Sequence, residues 1–166
     1  MQLYIVRHGI AIDREDPGCP AEAERYLTEE GIEKTKQVAK AITALRLQVD
    51  LMVSSPYVRA MQTAEIFASA FEYSRQKITR TDALLPGAQA SLFFRELAKE
   101  KQAATVFCFG HAPNVDELVA AAVGAKHQIT AMKKAAVAAL ELKRISPPAG
   151  QLIWLLTPKL VRKSAK

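Results

Sequence analysis

Short apolar runs alternate with helical patterns along this chain, and no other feature restricts its fold as strongly. The runs Leu3–Val6, Leu51–Val53 and Thr105–Phe109 are each separated from the next by at least one amphipathic segment. Helices are predicted over Glu29–Leu45, Pro56–Phe71, Gln89–Glu100 and Asn114–Val123. Strands that alternate with helices are typical of an α/β domain with a largely parallel sheet.

Two of the predicted helices carry start signals. Ser55 precedes Pro56, which fits a serine N-cap followed by proline at the first helical position. Asn114 is followed three residues later by Glu117, the spacing of a capping box. Both signals predict helices that begin immediately after a strand.

The end of the chain departs from the alternation. Apolar segments at Ala136–Leu142 and Gln151–Leu156 flank a Pro-Pro-Ala-Gly loop, which predicts an antiparallel hairpin at the sheet edge. We therefore expect a three-layer α-β-α sandwich, with a mostly parallel central sheet, helices on both faces and a C-terminal antiparallel hairpin. The 166 residues fit one domain, so we expect residues 1–166 to form a single domain with a basic tail at about 158–166.

Composition excludes several classes of protein. With 49% hydrophobic residues the chain can bury a core, which argues against disorder. Its apolar runs are too short to span a membrane, and the first strand begins without a preceding signal peptide. Cys19 and Cys108 form neither a disulfide framework nor a metal motif. We expect a soluble, reduced, cytoplasmic protein with no membrane partner.

The net charge of +6 comes from the last quarter of the chain, where residues 126–166 hold nine Lys/Arg and one Asp/Glu. Neither interleaved aromatic residues nor a nucleic-acid-binding motif accompanies this excess, so no nucleic-acid partner is predicted. Four of these charges lie in the final eight residues and are expected to form a solvated tail that can dock an acidic partner protein: Lys159, Arg162, Lys163 and Lys166.

Polar residues follow three of the predicted strands directly. Arg7-His8-Gly9 follows the first, a Ser-Ser-Pro segment and Arg59 follow the second, and a glycine and His111 follow the third. The carboxyl ends of parallel strands meet at one edge of a sheet, where α/β proteins bind ligands. The two histidines and two arginines are therefore predicted to converge.

Convergence of these residue types indicates phosphate chemistry. Two guanidinium groups repel one another unless an anion joins them, and the arginine fork fits phosphate oxygens. The same positive charge favours a neutral histidine, whose lone pair can attack phosphorus. Gly9 would let phosphate or backbone approach the nucleophile, and the helix start near Pro56 would add N–H donors. Neither a metal nor a cofactor is predicted.

Each residue alone also has a purely structural interpretation. Arg59 could be an exposed helix charge and His111 a hydrogen-bonded core histidine. His127 has no partner motif and is interpreted as a surface or capping residue. Cys108 lies inside an apolar run and is expected in the core, while Cys19 lies in a loop with no evident role.

Four segments carry a more specific signal: Arg7-His8-Gly9, Leu27–Gly31, Ser54–Ala64 and Gly110-His111. In the same order they resemble motifs of the histidine phosphatase superfamily, the phosphoglycerate mutase-like proteins. The resemblance implies that His8 is the nucleophile that becomes phosphorylated. It implies that Arg7, Arg59 and His111 bind the phosphoryl group and stabilise its transition state. Water would then hydrolyse the phosphohistidine.

The short chain is most similar to the small SixA-type branch of this family, the phosphohistidine phosphatases of phosphorelay and phosphotransfer proteins. Only about twenty residues separate the first strand from its helix, which leaves little room for the cover over the site that longer members carry. A segment at Leu84–Gly87 resembles a Leu-x-Pro segment of that branch.

A general acid is the least defined part of the predicted site. Alkyl phosphates need a proton on their leaving oxygen, and the carboxylates available are Asp82 and three in the first loop: Asp13, Glu15 and Asp16. The family's position for this acid falls at or near Ala83, so the chain could lack it. A phosphoramidate needs less help, because its P–N bond is labile.

The acidic loop 13–25 would also influence substrate choice if it borders the pocket. Its five carboxylates would repel small polyanions more than a phosphorylated side chain on a protein. The alternative interpretation is a solvated mobile loop.

Three functions follow in order of support. The first is a metal-independent phosphatase that uses a phosphohistidine intermediate, acts on phosphohistidine proteins in signal transduction and releases inorganic phosphate. The second is a general phosphomonoesterase that acts on small phosphate esters. The third is a non-catalytic phospho-binding module.

Overall fold

The computed structural model describes residues 1–164, with side chains described through Val161. Within this part of the chain the strands are β1 (Gln2–Arg7), β2 (Leu51–Ser54), β3 (Thr79–Arg80), β4 (Thr105–Gly110), β5 (Val137–Arg144) and β6 (Ala149–Leu156). The α-helices are α1 (Glu29–Thr43), α2 (Val58–Ala70), α3 (Ala90–Leu97), α4 (Asn114–Ala122) and α5 (Pro158–Ser164).

The strands form one sheet in the order β3-β2-β4-β1-β5-β6. β1 pairs in parallel with β4, β4 with β2, and β2 with β3. β5 runs antiparallel to β1, and β6 runs antiparallel to β5. The predicted fold class, with a mostly parallel sheet and a C-terminal antiparallel hairpin, is confirmed.

Alternate side chains of β1 enter two separate cores, one on each face of the sheet. Leu3 and Ile5 pack with residues of α3 and α4, whereas Tyr4 and Val6 pack with residues of α1 and α2. All of β4 is buried, as expected for a central strand covered by helices on both sides. These cores make the domain the expected three-layer sandwich.

Thr28 begins α1 as its N-cap and accepts a hydrogen bond from the Gly31 N–H at 3.0 Å. A side chain at Gly31 would collide with the Ile10 carbonyl, so glycine lets this helix start pack against the loop that follows β1. The first helix is thereby fixed beside the end of the first strand.

The capping predictions for two helices were wrong. α2 begins at Val58 after Tyr57, and α4 begins after Pro113, with Asn114 already helical. The side chains expected to cap them hydrogen-bond across the fold instead. Ser55 Oγ lies 2.8 Å from a nitrogen of His111, and Asn114 Nδ2 donates to the Ala88 carbonyl at 2.7 Å.

The segment expected to be a basic tail contains α5, and Val161 of this helix packs against the core beneath α1 and α2. Lys166 lies outside the described residues, and the side chains of Arg162 and Lys163 are also outside them. Among the helices of residues 1–164, none combines the length and apolar character needed to cross a membrane.

Candidate active site

The four side chains predicted to converge line one cavity of about 370 Å³. Arg7 and His8 come from the end of β1, Arg59 from the first turn of α2 after β2, and His111 from the residue after β4. β1, β4 and β2 are adjacent and parallel, so their carboxyl ends lie together at one edge of the sheet. The sheet order thus brings residues more than a hundred positions apart into one site.

His8 is buried, and its two ring nitrogens have different environments. Nδ1 lies 2.6 Å from the carbonyl oxygen of Gly9, which can only accept, so Nδ1 carries the proton and donates it. Nε2 is left with its lone pair and accepts the Nε–H of Arg59 at 3.3 Å. Burial, opposed by the Gly9 hydrogen bond and reinforced by the charges of Arg59 and Arg7, lowers the pKa of His8 to about 3.

Arg59 is 3% exposed and is held by Glu22. Its Nη1 donates to the Glu22 carbonyl at 2.7 Å and its Nη2 donates to the Glu22 carboxylate at 2.8 Å. Arg14 and Arg25 bind the same carboxylate. Hydrogen bonding from Arg14 and the neighbouring guanidinium charges, against some desolvation, lower the pKa of Glu22 to about 2.

Glu22 is a site residue that the sequence did not identify, because it appeared only as one of several carboxylates in a loop. A glutamate three residues before an arginine commonly forms an ion pair with it on a helix, as Glu22 does with Arg25. Nothing in that spacing indicates that the carboxylate also reaches Arg59, which is 37 residues away along the chain.

Arg7 is anchored by a backbone carbonyl from the segment before β5. Its Nη1 donates to the Met132 carbonyl at 2.6 Å. Asp116 of α4 fixes that segment, since its Oδ1 accepts the Met132 N–H at 2.9 Å and the Thr130 hydroxyl at 2.7 Å. Within the described residues the buried Nε of Arg7 has no hydrogen-bond partner, which leaves a donor for a bound anion.

His111 is oriented by Ser55, whose Oγ lies 2.8 Å from Nε2. The same oxygen accepts the Tyr57 N–H at 3.4 Å, which leaves the serine O–H free to donate to the ring. The other ring nitrogen, Nδ1, is buried without a hydrogen-bond partner among the described residues. Burial, followed by the charges of His8 and Arg59, lowers the pKa of His111 to about 2.

Gly9 has a packing role that the sequence did not reveal. A Cβ there would lie 2.5 Å from Thr35 Oγ1 of α1, so glycine allows this loop to pack closely against the helix. The Gly9 N–H donates to Thr63 Oγ1 of α2 at 3.1 Å. Gly9 therefore ties the loop that carries His8 to both helices on that face.

The candidates for a general acid differ in their position relative to the cavity. Asp13 lines the cavity, together with Arg14, Arg25 and Lys134. Asp82 is exposed and is not among the lining residues, and the neighbouring Ala83 is buried. In the part of the chain that the structure describes, no group of three or more His, Cys, Asp or Glu side chains could hold a metal ion.

The remaining residues singled out from the sequence lie away from the cavity. His127 is exposed, as its interpretation as a surface residue requires. Cys108 is fully buried in β4, where burial raises the pKa of its thiol, and Cys19 is a partly exposed free cysteine. The fold and cavity together define an α/β protein in which two arginines and a second histidine surround a neutral histidine.

Comparison with known proteins assigns the family. The model of the histidine phosphatase superfamily (branch 1) matches residues 3–85. An uncharacterized protein of Picosynechococcus sp. is 33% identical over 162 residues, which cover 95% of this chain and 96% of that protein. This chain belongs to the histidine phosphatase superfamily, as the sequence motifs predicted.

More distant relatives share parts of the chain or its fold. The mitochondrial serine/threonine-protein phosphatase Pgam5 of Drosophila persimilis is 29% identical over 110 residues, which cover 58% of this chain and 37% of that protein. The protein histidine phosphatase SixA complexed with tungstate superimposes with a TM-score of 0.86 at 23% identity, covering 97% and 99% of the two chains.

A second solved structure, the putative phosphohistidine phosphatase SixA from Agrobacterium tumefaciens, gives a TM-score of 0.79 at 23% identity and covers 95% and 97% of the two chains. At this identity the structures show a shared fold. They support the expected similarity to the SixA-type branch.

Proposed function

We propose that this protein is a phosphatase that forms a phosphohistidine intermediate on His8 and acts on phosphohistidine in signalling proteins of the cytoplasm. The observation that carries the proposal is the state of the His8 ring. Its Nδ1–H is bound to the Gly9 carbonyl, so Nε2 carries the lone pair. In the cavity lined by Arg7, Arg59 and His111 this lone pair accepts the Arg59 Nε–H, a hydrogen bond that an incoming phosphoryl group displaces.

In the first step the Nε2 lone pair of His8 attacks phosphorus as the bond from phosphorus to the leaving group breaks. Arg7 and Arg59 neutralise the phosphoryl oxygens, and His111 donates from Nδ1 to one of them. A departing imidazole takes its proton from water. Burial keeps both histidines uncharged, as a nucleophile and a neutral donor require.

In the second step water attacks phosphorus, and the P–N bond to His8 breaks with its electron pair returning to the ring. The proton from water passes to solvent, and inorganic phosphate leaves. These residues act through positioning and charge, and no step requires a metal or cofactor.

The preference for phosphohistidine is supported by the surroundings of the leaving group. Asp82 lies outside the cavity, and the family's acid position falls at or near the buried apolar Ala83. A P–N bond to imidazole breaks with little acid assistance, whereas an alkoxide needs a proton. The solved SixA proteins, described as histidine and phosphohistidine phosphatases, favour the same substrate class.

One observation favours a phosphomonoesterase as the second candidate. Asp13 lines the cavity and could protonate a leaving alkoxide. In that case small phosphate esters, rather than phosphoproteins, would be the physiological substrates.

The deciding experiment compares kcat/KM for a phosphohistidine protein with kcat/KM for a panel of alkyl and aryl phosphates. A clear preference for the phosphohistidine protein supports the proposal, and a preference for alkyl esters supports the second candidate. His8→Ala should abolish turnover of both substrates and trap no covalent phosphate. The matched control is His127→Ala at the exposed histidine, and normal turnover by His8→Ala would sink the mechanism.

A further inference from the structure

A second cavity, of about 610 Å³, borders the active-site cavity and shares Arg7 and Lys134 with it. Three further lysines line it, and they come from distant parts of the sequence: Lys34 of α1, Lys133 beside Lys134, and Lys159 of α5. Among the described residues no aspartate or glutamate lines this cavity. We name it the basic groove.

Most of this positive charge is available to a ligand. Lys34 forms an ion pair with Glu30 on the same helix. Lys133, Lys134 and Lys159 are exposed and make no ion pair with any described residue. Since the like charges converge without an acidic neighbour in the lining, an anion placed there would be attracted by several lysines at once.

The side of the active-site cavity formed by the first loop carries acidic as well as basic side chains. Asp13 and Arg14 of the first loop line the active-site cavity but not the basic groove. Glu22 on that side already binds Arg14, Arg25 and Arg59. The arginines on that side therefore have carboxylates beside them, whereas no Asp or Glu among the described residues lines the groove.

We propose that the basic groove binds acidic side chains that flank the phosphorylated residue of a protein substrate. This inference rests on the proposed function, because it places the phosphoryl group of the same molecule against His8. Arg7 lines both cavities, so a bound chain can present phosphate to one and carboxylates to the other. The groove would then select phosphoproteins by the charge beside the modified residue.

The lining of the groove favours protein over nucleic acid. Its uncharged members are Ile10, Thr157 and Pro158, and none is an aromatic residue on which a base could stack. The groove adjoins one cavity, whereas nucleic-acid backbones require basic residues along an extended track.

The test uses two phosphohistidine peptides that differ only in their flanking residues, acidic in one and neutral in the other. The variant is Lys133→Glu combined with Lys159→Glu. The control is Lys36→Glu combined with Lys40→Glu, which makes the same charge change at exposed residues of α1 that line a separate cavity.

The groove variant should lower kcat/KM for the acidic peptide about tenfold, with a smaller effect at high salt, since exposed ion pairs are individually weak and screened. Its kcat/KM for the neutral peptide and for p-nitrophenyl phosphate should match wild type. The control should change each value less than about twofold.

Equal losses in the groove variant and the control would overturn the inference, as would equal turnover of both peptides by wild type. If wild type hydrolyses neither phosphohistidine peptide, the proposed function fails while the groove is still judged by binding. In that case the unphosphorylated acidic peptide must bind wild type more tightly than it binds the groove variant. Tighter binding of duplex DNA that is lost in the groove variant would overturn the assignment to protein.

Discussion

Arg59 directs its Nε–H to Nε2 of His8 across 3.3 Å, while Glu22 holds the two terminal nitrogens of the same guanidinium. Arg59, which is proposed to bind the transferred phosphoryl group, therefore also contacts Nε2 of His8, the atom proposed to attack phosphorus. Its orientation is determined by a carboxylate from the loop between β1 and α1.

Glu22→Gln should lower kcat/KM about tenfold, since a charge-assisted hydrogen bond to Arg59 becomes a neutral one. The side chain keeps its length, so the loss reports on the charge that holds the guanidinium. Steady-state kinetics with a phosphohistidine substrate measure it. The control is Glu24→Gln in the same turn, which is exposed and should retain normal activity. Equal activity of the two variants would remove Glu22 from the site.

Ser55→Ala should reduce kcat about tenfold with little change in KM, because His111 loses the hydrogen bond that orients its ring. Ser54→Ala is the matched control. Ser54 is also buried, but its hydroxyl donates to the Ser55 carbonyl at 2.9 Å and does not contact His111. Parallel losses in the two variants would indicate a general packing effect instead.

Acidification should destabilise the protein through its two buried histidines. The pKa values of His8 and His111 are lowered to about 3 and about 2 in the folded state, below the ordinary value of 6.5. The unfolded chain therefore binds more protons below about pH 6.5, and stability falls as the pH decreases from there toward the folded values.

The size of this effect is about 2 kcal/mol per histidine between neutral pH and about pH 5. Urea unfolding at the two pH values measures it in wild type and in His111→Gln. The variant should lose less stability on acidification than wild type, because it retains one buried histidine instead of two. An identical loss in both proteins would contradict the prediction.

Asp82→Asn should leave kcat/KM within about twofold for every substrate, because surface substitutions away from a site have small effects and Asp82 lies outside the cavity. Asp13→Asn should slow alkyl phosphates more than aryl phosphates, since only the poor leaving group needs a proton. Its effect on phosphohistidine should be small. Selective slowing of alkyl phosphates by Asp82→Asn would restore that residue as the general acid.

Gly9→Ala should destabilise the fold by about 1–3 kcal/mol, the cost of inserting a methyl group into a packed site. The new Cβ would lie 2.5 Å from Thr35 Oγ1, so removing that oxygen should relieve part of the strain. A urea-unfolding cycle with Gly9→Ala, Thr35→Ala and the double variant measures the coupling. Additive effects would show that the predicted collision is absent.

The sequence correctly predicted features that depend on the pattern of apolar residues or on the order of strands and helices along the chain. The apolar runs at Leu3–Val6 and Thr105–Phe109 lie buried within β1 and β4, because their lack of alternation reflects burial on both faces. The convergence of Arg7, Arg59 and His111 followed from the ends of parallel strands, which needs no knowledge of side-chain contacts.

Features that depend on contacts between distant loops were not predictable in this way. Glu22 binds Arg59 from a single 3-10 turn, and Lys134 lines the cavity from the segment before β5. Neither segment has a periodicity that indicates the direction of a side chain. The roles of Ser55 and Asn114 were misassigned because local capping rules ignore partners across the sheet. Ser55 hydrogen-bonds to His111, and Asn114 donates to the Ala88 carbonyl.

The position of β1 in the sheet determines when this strand can pair while the chain is being synthesised on the ribosome. Its neighbours are β4 and β5, so the strand synthesised first pairs only with strands from residues 105–110 and 137–144. Until those residues have emerged, the end of β1 that leads into His8 has no strand beside it. A nascent chain that stalls before β5 would expose one edge of that strand and would be expected to lack activity.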